Sequence, residues 1–445
     1  MSFGVRTAAP VTTSTVTELT VEVTGAEPLH LLAGLAASGR FADHVVYERP
    51  GVWTFAGGVR GEVILDDGAA HTRWEGADPS ERSWSGTPSQ ALAEAFRDCP
   101  FDAWNAYGWI AFEFARGARR RPGQRLAHLV VPRLEVRIED GTATVTGTDA
   151  REAEAVAGFL AAPGPLDFGA PAPVDVRVGG DGYRSCVARA VEEIAAGLYQ
   201  KVIVSRRLPV PFPVDVPSTY VRGREANTPA RSFLLRLGGF AATGFSPEVL
   251  ASVDATGAVM TQPLAGTRAF GRGADADAAT RHELETDPKE IFEHAVSVRT
   301  SQDELYGVCE RDTVQVSGFM TVKERGSVQH LGSSVAGLLA PGRTTWDALD
   351  ALFPGVTASG IPKAEAVAAI GRLEEPRGMY AGAVLTVSHD GAMDAALVLR
   401  ALYSDGNEAW LRAGAGIVTG STPEREYEET CEKLSSIAPY VVRAR

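Results

Sequence analysis

Short runs of hydrophobic residues alternate with polar positions over the first 150 residues, which is the pattern of half-buried β-strands. Such strands are predicted at residues 44–47, 52–56, 62–65, 71–74, 106–114, 129–136 and 142–147. Helices are predicted at residues 28–37, 89–96 and 151–160. Because turn-forming residues separate strands that are close in sequence, we expect antiparallel pairing in this part of the chain.

The pattern resumes after a stretch rich in Pro, Gly and Ala at residues 161–174, which is either a boundary or a long surface crossing. Further strands are predicted at residues 201–205, 231–237, 249–253, 258–263, 314–325, 328–338, 380–389, 393–403 and 409–417. Helices are predicted at residues 183–198, 287–298, 346–353, 363–373 and 422–434. No internal repeat is evident, so we expect one large α+β body, with an antiparallel-sheet part at residues 1–175 and a second part at residues 176–445.

Two of the predicted helices carry the same arrangement of carboxylates. Each begins with a capping residue followed by proline, Asp287-Pro288 and Thr422-Pro423, and each then places two glutamates one turn apart on one face. These glutamates are Glu290, Glu293, Glu426 and Glu429. If the two helices face each other, the four carboxylates can surround one hard cation. The same spacing is common on solvated helices, so the pattern alone leaves both interpretations open.

Composition excludes some classes of function. The formal net charge of −13 argues against general affinity for nucleic acid or anionic membrane, because both need clustered Lys and Arg. The four cysteines lack disulfide or metal-ligand spacing, and no run of about eighteen apolar residues occurs. We therefore expect a cytoplasmic protein. We also expect a monomer, because no heptad repeat is evident.

Two residues are candidates for proton transfer. Lys201 begins the apolar strand KVIVS, where its ammonium group either extends to water or faces a pocket and acts as a general base. Glu248 lies in a Ser-Pro-Glu corner between two predicted strands. Kept from water, its carboxyl would hold a proton near neutral pH and act as a general acid, whereas in solvent it would be an ordinary turn residue.

Other positions suit an anion. Arg400 interrupts the apolar strand ALVLRALY and so needs an anionic partner, with Tyr380 as a neighbouring hydroxyl. Glycines in PLAGTR (263–268) and RAGAGI (412–417) allow close backbone approach to a ligand. His330 is either a structural histidine or part of a polar site.

These residues fall in motifs that resemble the chorismate-utilising enzymes, which include the anthranilate, aminodeoxychorismate, isochorismate and salicylate synthases. From residue 183 to the C-terminus the motifs are KVIVSRR, SPE, PLAGTRAFG, DPKEIFEHAVSVR, GSVQHLGSSV, PGVTASGIPKAEA, PRGMYAGAV, LRAGAGIV and EREYEETCEKL. Within the family, the chain resembles the bifunctional salicylate synthases of actinobacterial siderophore pathways more than other members. The resemblance implies the family fold, in which antiparallel sheets pack as a sandwich with helices outside and residues 176–445 form the catalytic part.

The resemblance also implies the reaction, from chorismate through isochorismate to salicylate and pyruvate. Lys201 would activate the water that attacks ring C2, Glu248 would protonate the departing C4 hydroxyl, and His330 would complete the polar catalytic site. Mg2+ would be held by Glu293 and Glu429, with Glu290 and Glu426 acting directly or through water. The substrate-binding residues would be Gly266, Thr267, Thr357, Tyr380, Arg400, Gly414 and Lys433.

Three alternatives to this reaction arise, and the sequence argues against the second of them, an anthranilate synthase. An isochorismate synthase would use the same acid, base and metal and stop before pyruvate loss. Anthranilate synthases carry a different residue at the position of Lys201, and YERP at residues 47–50 does not resemble their tryptophan-inhibition motif. A non-catalytic chorismate-binding relative is the third, although each proposed catalytic position holds a competent residue. The chain departs from close relatives at Gln262, where they carry Glu, and in the loop 373–376, which is one residue shorter.

Overall fold

The protein is described here by a computed structural model that covers residues 16–23, 25–325 and 328–445, apart from the side chains of residues 265, 267 and 269. Its helices are α1 (Pro28–Ala37), α2 (Pro88–Arg97), α3 (Ala150–Ala161), α4 (Asp181–Ala195), α5 (Val216–Glu225), α6 (Ala274–Thr286), α7 (Pro288–Tyr306), α8 (Thr345–Leu352), α9 (Lys363–Leu373) and α10 (Pro423–Leu434).

The strands up to residue 150 are β1 (Thr17–Glu22), β2 (His44–Arg49), β3 (Val52–Gly57), β4 (Gly61–Asp66), β5 (Ala69–Trp74), β6 (Ser80–Ser83), β7 (Asn105–Ile110), β8 (Arg125–Val131), β9 (Leu134–Glu139) and β10 (Thr142–Gly147). The later strands are β11 (Lys201–Val210), β12 (Arg231–Leu237), β13 (Phe240–Ser246), β14 (Val249–Val253), β15 (Ala258–Thr261), β16 (Leu264–Ala269), β17 (Gln315–Arg325), β18 (Val328–Leu338), β19 (Gly360–Ile361), β20 (Ala383–Ser388), β21 (Met393–Leu397), β22 (Ala401–Ser404) and β23 (Ala409–Ile417).

These strands form two large antiparallel sheets. The first has the order β1-β10-β9-β3-β2-β12-β13-β22-β23-β11-β19, and the second has the order β16-β18-β15-β14-β21-β20-β7-β8-β4-β5-β6, with β17 paired to β18. Each sheet combines strands from before residue 150 with strands from after residue 200, because β2 pairs with β12 and β7 pairs with β20. The predicted α+β body is confirmed, and each sheet contains strands from both parts of the chain.

The two sheets pack against each other with helices on the outside. Alternate residues of a strand point to opposite faces, so one strand can serve two cores. Val45 and Tyr47 of β2 join a core that also contains Ile110 and Leu129 from the second sheet. Val46, on the opposite face of β2, packs in a separate core with α1, α3 and α5. The sandwich implied by the family resemblance is therefore confirmed.

Some predicted strands are wrong, two of them because the chain passes from one sheet to the other within a hydrophobic run. The predicted strand 129–136 is two strands, β8 in the second sheet and β9 in the first, separated at Pro132. The predicted strand 393–403 is likewise divided into β21 and β22. The predicted strand 106–114 ends at Ile110, and Phe112–Phe114 form a buried helical turn. Periodicity does not mark a crossing, because the residues on both sides of it are buried.

Seven of these elements were not predicted from the sequence. They are β1, β6, α5, β13, β16, α6 and β19. The residues of β16 belong to the PLAGTR motif, whose small residues were expected to allow close backbone approach to an anionic ligand. In the structure they pair with β18, and the pairing shifts between Ala265 and Arg268.

Two crossings between the sheets lie side by side and form one corner of the molecule. The first leads from β13 to β14 through Glu248, and the second leads from β21 to β22 through Arg400. The Ser246 hydroxyl donates to the carbonyl of Leu397 at 2.6 Å, and the Leu397 N–H donates to the carbonyl of Glu248 at 3.3 Å. The Phe245 N–H donates to the carbonyl of Arg400 at 3.2 Å. These bonds hold two candidate residues, distant in sequence, at the same corner.

Candidate functional site

Glu248 lies at the first crossing with its side chain almost fully buried. The Thr357 hydroxyl is 2.8 and 2.9 Å from its two carboxyl oxygens. Burial raises the pKa of Glu248 to about 8, while the hydrogen bonds from Thr357 and from the Leu264 N–H lower it less. Glu248 therefore keeps its proton at neutral pH, which is the state required of a general acid.

Arg400, at the second crossing, is linked to Gly266 through His330. Its backbone φ of 51° lies in the left-handed region, at a cost of about 1–3 kcal/mol for a non-glycine residue. Arg400 Nη2 is 2.8 Å from His330 Nε2, and His330 Nδ1 is 2.9 Å from the Gly266 carbonyl. Because a guanidinium only donates and a carbonyl only accepts, His330 is neutral and carries its proton on Nδ1. Burial, and then the charge of Arg400, lower the pKa of His330 to about 3.

Arg325, which the sequence did not single out, adds a second guanidinium beside Arg400. Burial, and then the charge of Arg325, lower the pKa of Arg400 to about 10. Arg325 is half-buried at the end of β17, and within the described ranges its Nε has no hydrogen-bond partner. Among those residues no carboxylate pairs with either guanidinium, so the corner needs an anion from outside. The sequence signal was weak: Arg325 only borders the GSVQHLGSSV motif.

Lys201 faces the site rather than solvent. It begins β11, and its Nζ is 2.6 Å from Oε2 of Glu293 in α7, with 13% and 18% of the two side chains exposed. A Cβ on Gly416 of the neighbouring strand β23 would lie 3.1 Å from Lys201 Cε, so glycine leaves room for the lysine. The Lys201 ammonium group is therefore engaged in an ion pair, and Glu293 would have to move or exchange its partner to release it.

The predicted starts of α7 and α10 are confirmed. The Asp287 side chain accepts a hydrogen bond from the Lys289 N–H at 2.9 Å, and the Thr422 hydroxyl accepts one from the Arg425 N–H. The first turns of the two helices lie near each other, since the charge of Lys289 in α7 acts on both Glu426 and Glu429 of α10.

The four glutamates on these helices have different partners. Glu293 pairs with Lys201 as described, and Glu290 pairs with Arg268 Nη1 at 3.1 Å. Glu429 pairs with Lys433 at 2.8 Å, and although burial opposes it, this contact keeps the pKa of Glu429 below its ordinary value. Glu426 is buried, and burial raises its pKa above the ordinary value. Three of the four carboxylates are thus neutralised by cationic side chains.

A metal ion would have to compete with these ion pairs. Among the described residues, no group of three or more His, Cys, Asp or Glu side chains is arranged to hold a metal. The chemistry of the donors nevertheless fits Mg2+, which prefers carboxylate oxygens and water. Glu426, buried with a raised pKa, is the carboxylate that a nearby cation would stabilise most in its charged form. The four-glutamate site stays a prediction.

Several of the predicted substrate-binding residues contact one another or the proposed catalytic residues. A Cβ on Gly414 would lie 3.1 Å from the Tyr380 hydroxyl, and a Cβ on Gly266 would lie 2.9 Å from Glu290 Oε2, so both positions need glycine for close approach. Lys433 donates to the Gly414 carbonyl at 2.9 Å. Thr267 is in β16 next to Gly266, but its side chain lies outside the described residues.

A buried ionic network behind Tyr380 was also missed. Glu374 accepts hydrogen bonds from Ser205, Arg377 and Arg412. Although burial opposes it, the two arginines hold the pKa of Glu374 below its ordinary value. Their guanidinium carbons lie 5.7 and 5.6 Å from the Tyr380 ring centre, so the network packs against this ring. Glu374 lies in the short loop 373–376 and Arg412 in the RAGAGI segment, but neither pattern indicates an ionic network.

Comparison with known families agrees with this geometry. The family described as chorismate binding enzyme matches residues 44–439. The chain belongs to this family. Its members are enzymes that take chorismate as a small-molecule substrate, so the family predicted from the motifs is confirmed.

Individual relatives support the membership along most of the chain. The salicylate synthase of Mycolicibacterium paratuberculosis is 49% identical over 450 residues, which are 96% of this chain and 99% of the relative. The anthranilate synthase component 1 of Aeropyrum pernix is 41% identical over 259 residues, 58% of this chain and 59% of the relative.

Solved structures of the chorismate-binding family share the fold. The anthranilate synthase component I of Streptococcus pneumoniae matches with a TM-score of 0.74 and 26% identity, covering 87% of this chain and 92% of that one. The menaquinone-specific isochorismate synthase of Escherichia coli also matches with a TM-score of 0.74, at 23% identity, covering 96% and 94%. In the described part of this chain, no helix combines the length and the apolar character needed to cross a membrane.

Proposed function

We propose that this enzyme is a salicylate synthase, which converts chorismate through isochorismate to salicylate and pyruvate. The observation that carries the proposal is Glu248, a buried acid with a pKa of about 8, at a corner shared with Arg400 and Arg325. An acid that still carries its proton, beside two cations that have no carboxylate partner in the described part of the chain, suits removal of a hydroxyl group from an anionic substrate. The 49% identity to a salicylate synthase over 96% of the chain supports the choice of product.

The first step would be isomerisation of chorismate. Lys201 would accept a proton from the water that attacks C2 of the ring, and Glu248 would give its proton to the hydroxyl that leaves C4. One water is added and one is lost, so the product, isochorismate, is an isomer of the substrate. Lys201 must first lose its proton and its ion pair with Glu293, because an ammonium group cannot accept a proton.

The carboxylates of the substrate would be held by the cations and glycines of the site. Arg400, with Tyr380, would bind the carboxylate of the enolpyruvyl arm through its two-pronged guanidinium, and Arg325 would add positive charge. Gly266 and Gly414 would let the ring approach the backbone. The remaining polar contacts with the substrate would come from Thr267, Thr357 and Lys433.

The second step would be loss of pyruvate from isochorismate. The C3–O bond breaks, the hydrogen at C2 is transferred to the arm that becomes the methyl group of pyruvate, and the ring becomes aromatic. The hydrogen and the leaving group belong to the same molecule, so this elimination asks mainly for a substrate conformation held in place. The contacts of Arg400 and Tyr380 with the arm would supply that positioning.

We propose Mg2+ as the cofactor, held by Glu293 and Glu429, with Glu290 and Glu426 contributing directly or through water. When bound, the ion supplies positive charge for the ring carboxylate. Carboxylate oxygens are its preferred ligands, and a bound cation would offset the burial that raises the pKa of Glu426. Glu293 and Glu429 would exchange Lys201 and Lys433 for the ion.

Removal of divalent cations tests the cofactor. EDTA is expected to stop formation of salicylate from chorismate, and added Mg2+ is expected to restore it. EDTA that has been saturated with Mg2+ beforehand is the control for effects of the chelator itself. Full activity in excess EDTA would contradict a metal role for the glutamates.

An isochorismate synthase is the second candidate, since the chain shares its fold with the Escherichia coli enzyme and the first step needs the same residues. Incubation with chorismate and Mg2+, followed by product analysis, separates the two. Salicylate and pyruvate in equal amounts support the proposal, whereas isochorismate alone would reject it. The use of the product in siderophore synthesis, the cytoplasmic location, the monomeric state and the division at residue 175 stay predictions from the sequence.

A further inference from the structure

Four residues other than glycine have a positive backbone φ in the described ranges. They are Asp140, Met320, Ala381 and Arg400, with φ between 48° and 59°. A Cβ makes this conformation costly, and most of the described positions that adopt it are glycines. A strained residue persists only where the surrounding structure holds it, and such residues are frequent at functional sites.

Two of the four are not next to a proposed substrate contact. Asp140 is exposed in the two-residue turn between β9 and β10, where positive φ is required and Asp is tolerated. Met320 lies where the pairing of β17 with β18 shifts. The other two belong to the candidate site, since Arg400 is itself a proposed contact of the substrate arm and Ala381 directly follows Tyr380, the other proposed contact.

Ala381 occupies a turn position that normally holds glycine. The Gly382 N–H donates to the Met379 carbonyl at 3.0 Å, so Ala381 is the third residue of a four-residue turn, where positive φ favours glycine. Its methyl group is buried in the core shared by the two sheets. A glycine would relax the strain but lose this packing, and the backbone that follows Tyr380 would gain conformations.

Hydrogen bonds tie this turn to the crossing that carries Arg400. The Ala381 N–H donates to the Val398 carbonyl at 2.9 Å, and the Val398 N–H donates to the Gly382 carbonyl at 2.9 Å. Val398 is buried and lies two residues before Arg400. The side chains of Tyr380 and Arg400 are therefore placed by one continuous piece of hydrogen-bonded backbone.

The Tyr380 hydroxyl lies at the far end of a rigid ring. The ring is buried, with the guanidiniums of Arg377 and Arg412 against it, and the hydroxyl is 3.1 Å from the place that a Cβ on Gly414 would take. A small rotation of the Tyr380 backbone is therefore enlarged at the hydroxyl. Displacement of a contact by about 1 Å can lower a rate by about 10²-fold, so the conformation of this turn matters for the reaction.

We propose that Ala381 is a positioning residue, which acts through the Tyr380 hydroxyl. Its strained backbone and packed methyl group restrict the turn to one conformation, in which this hydroxyl and the Arg400 guanidinium reach the same carboxylate. This role rests on the proposed contact of Tyr380 with the substrate. It concerns the binding of chorismate, so it holds whichever product the enzyme releases.

Steady-state kinetics of chorismate consumption tests this role in Ala381→Gly, in Tyr380→Phe and in the double variant. Tyr380→Phe removes a charge-assisted hydrogen bond and should raise KM roughly tenfold or more. Ala381→Gly keeps the hydroxyl but loosens its position, and should raise KM roughly threefold or more with a smaller change in kcat. The double variant should match Tyr380→Phe within about twofold, because the position of the hydroxyl no longer matters once the hydroxyl is absent.

Asp140→Gly is the matched control. It relaxes the same kind of φ in a surface hairpin, so KM should stay within about twofold of the wild-type value. Urea unfolding shows whether each variant is folded, and Ala381→Gly should be, because glycine adopts this φ without strain.

The outcomes separate this role from the contact on which it rests. An unchanged KM in Ala381→Gly, with a raised KM in Tyr380→Phe, would overturn the role of Ala381 and leave the contact of Tyr380 in place. Effects of the two substitutions that multiply in the double variant would also overturn it, because Ala381 would then not act through the hydroxyl. An unchanged KM in Tyr380→Phe would reject the contact assigned to Tyr380, and the role of Ala381 with it.

Discussion

The corner formed by the two strand crossings contains buried ionisable groups, and so do the first two turns of α7 and α10. The two regions stabilise these groups differently. At the corner, Glu248 and His330 are neutral, and their partners are a threonine hydroxyl, a backbone carbonyl and Arg400. On the helices, Glu293 and Glu429 are charged and pair with Lys201 and Lys433. Burial without a counter-charge favours the neutral form, whereas burial beside a cation favours the ion pair.

This difference indicates which half of the site is ready for chemistry. Glu248, the acid at the corner, already has its proton and its hydrogen-bond partners. The backbone around it is held in position by the hydrogen bonds between the two crossings. The base on the helix side is occupied by its own ion pair and must be released. We expect the helix side, rather than the corner, to change when substrate and Mg2+ bind.

Loss of Lys201 is the largest expected effect and tests the helix side. Lys201→Ala removes the proposed base, so kcat should fall by roughly 10²–10⁴-fold, with folding and chorismate binding largely intact. Lys289→Ala is the matched control. The Nζ of this exposed lysine lies 3.9 Å from the carboxylate of the same Glu293, but Lys289 is not proposed to act as the base. Unchanged product formation in Lys201→Ala would remove Lys201 from the mechanism.

Replacement of Glu248 tests whether the corner supplies the acid. Glu248 must be protonated to donate, so wild-type activity should decline as the pH rises through about 8. Glu248→Gln should lower kcat by roughly 10²-fold or more and abolish this alkaline decline. The measurement is the pH profile of kcat/KM for both proteins, because this quantity reports the pKa values of the free enzyme. An identical decline in the variant would assign it to another group.

The two guanidiniums at the corner should differ in their effect on substrate binding. Arg400→Gln removes charge-assisted hydrogen bonds worth about 1.5–3 kcal/mol, which should raise KM for chorismate by roughly 10- to 150-fold. Arg325→Gln removes only nearby charge and should raise KM by a smaller factor. Steady-state kinetics of the two variants shows which substitution raises KM more. A larger increase in KM for Arg325→Gln than for Arg400→Gln would reverse the roles of the two arginines.

Thr357 should have the smallest effect and sharpens the account of Glu248. Its hydrogen bond lowers the pKa of Glu248, so Thr357→Val should move the alkaline decline in activity to higher pH, with a modest loss of kcat. Thr345→Val is the control, because the hydroxyl of this buried threonine has no partner among the described residues. A decline that moves to lower pH would show that Thr357 stabilises the protonated acid instead.

Local patterns in the sequence determined much of the fold and most of the candidate positions. The capping residues and proline predicted the starts of α7 and α10, and the Ser-Pro-Glu corner marked Glu248 as the end of one strand and the start of another. The sequence indicated Arg400 as a candidate because its charge interrupts an apolar run. These signals are readable because helix caps, turns and strand burial depend on residues close together in the chain.

Tertiary structure alone decided which groups meet and in what charge state. Glu248 and Thr357 are 109 residues apart, Lys201 and Glu293 are 92 apart, and His330 and Arg400 are 70 apart. The sequence assigned four similar glutamates to one task, whereas the fold gives three of them cationic partners and leaves Glu426 buried with a raised pKa. A pKa depends on desolvation and on neighbours brought together across the two sheets, and no local pattern contains that information.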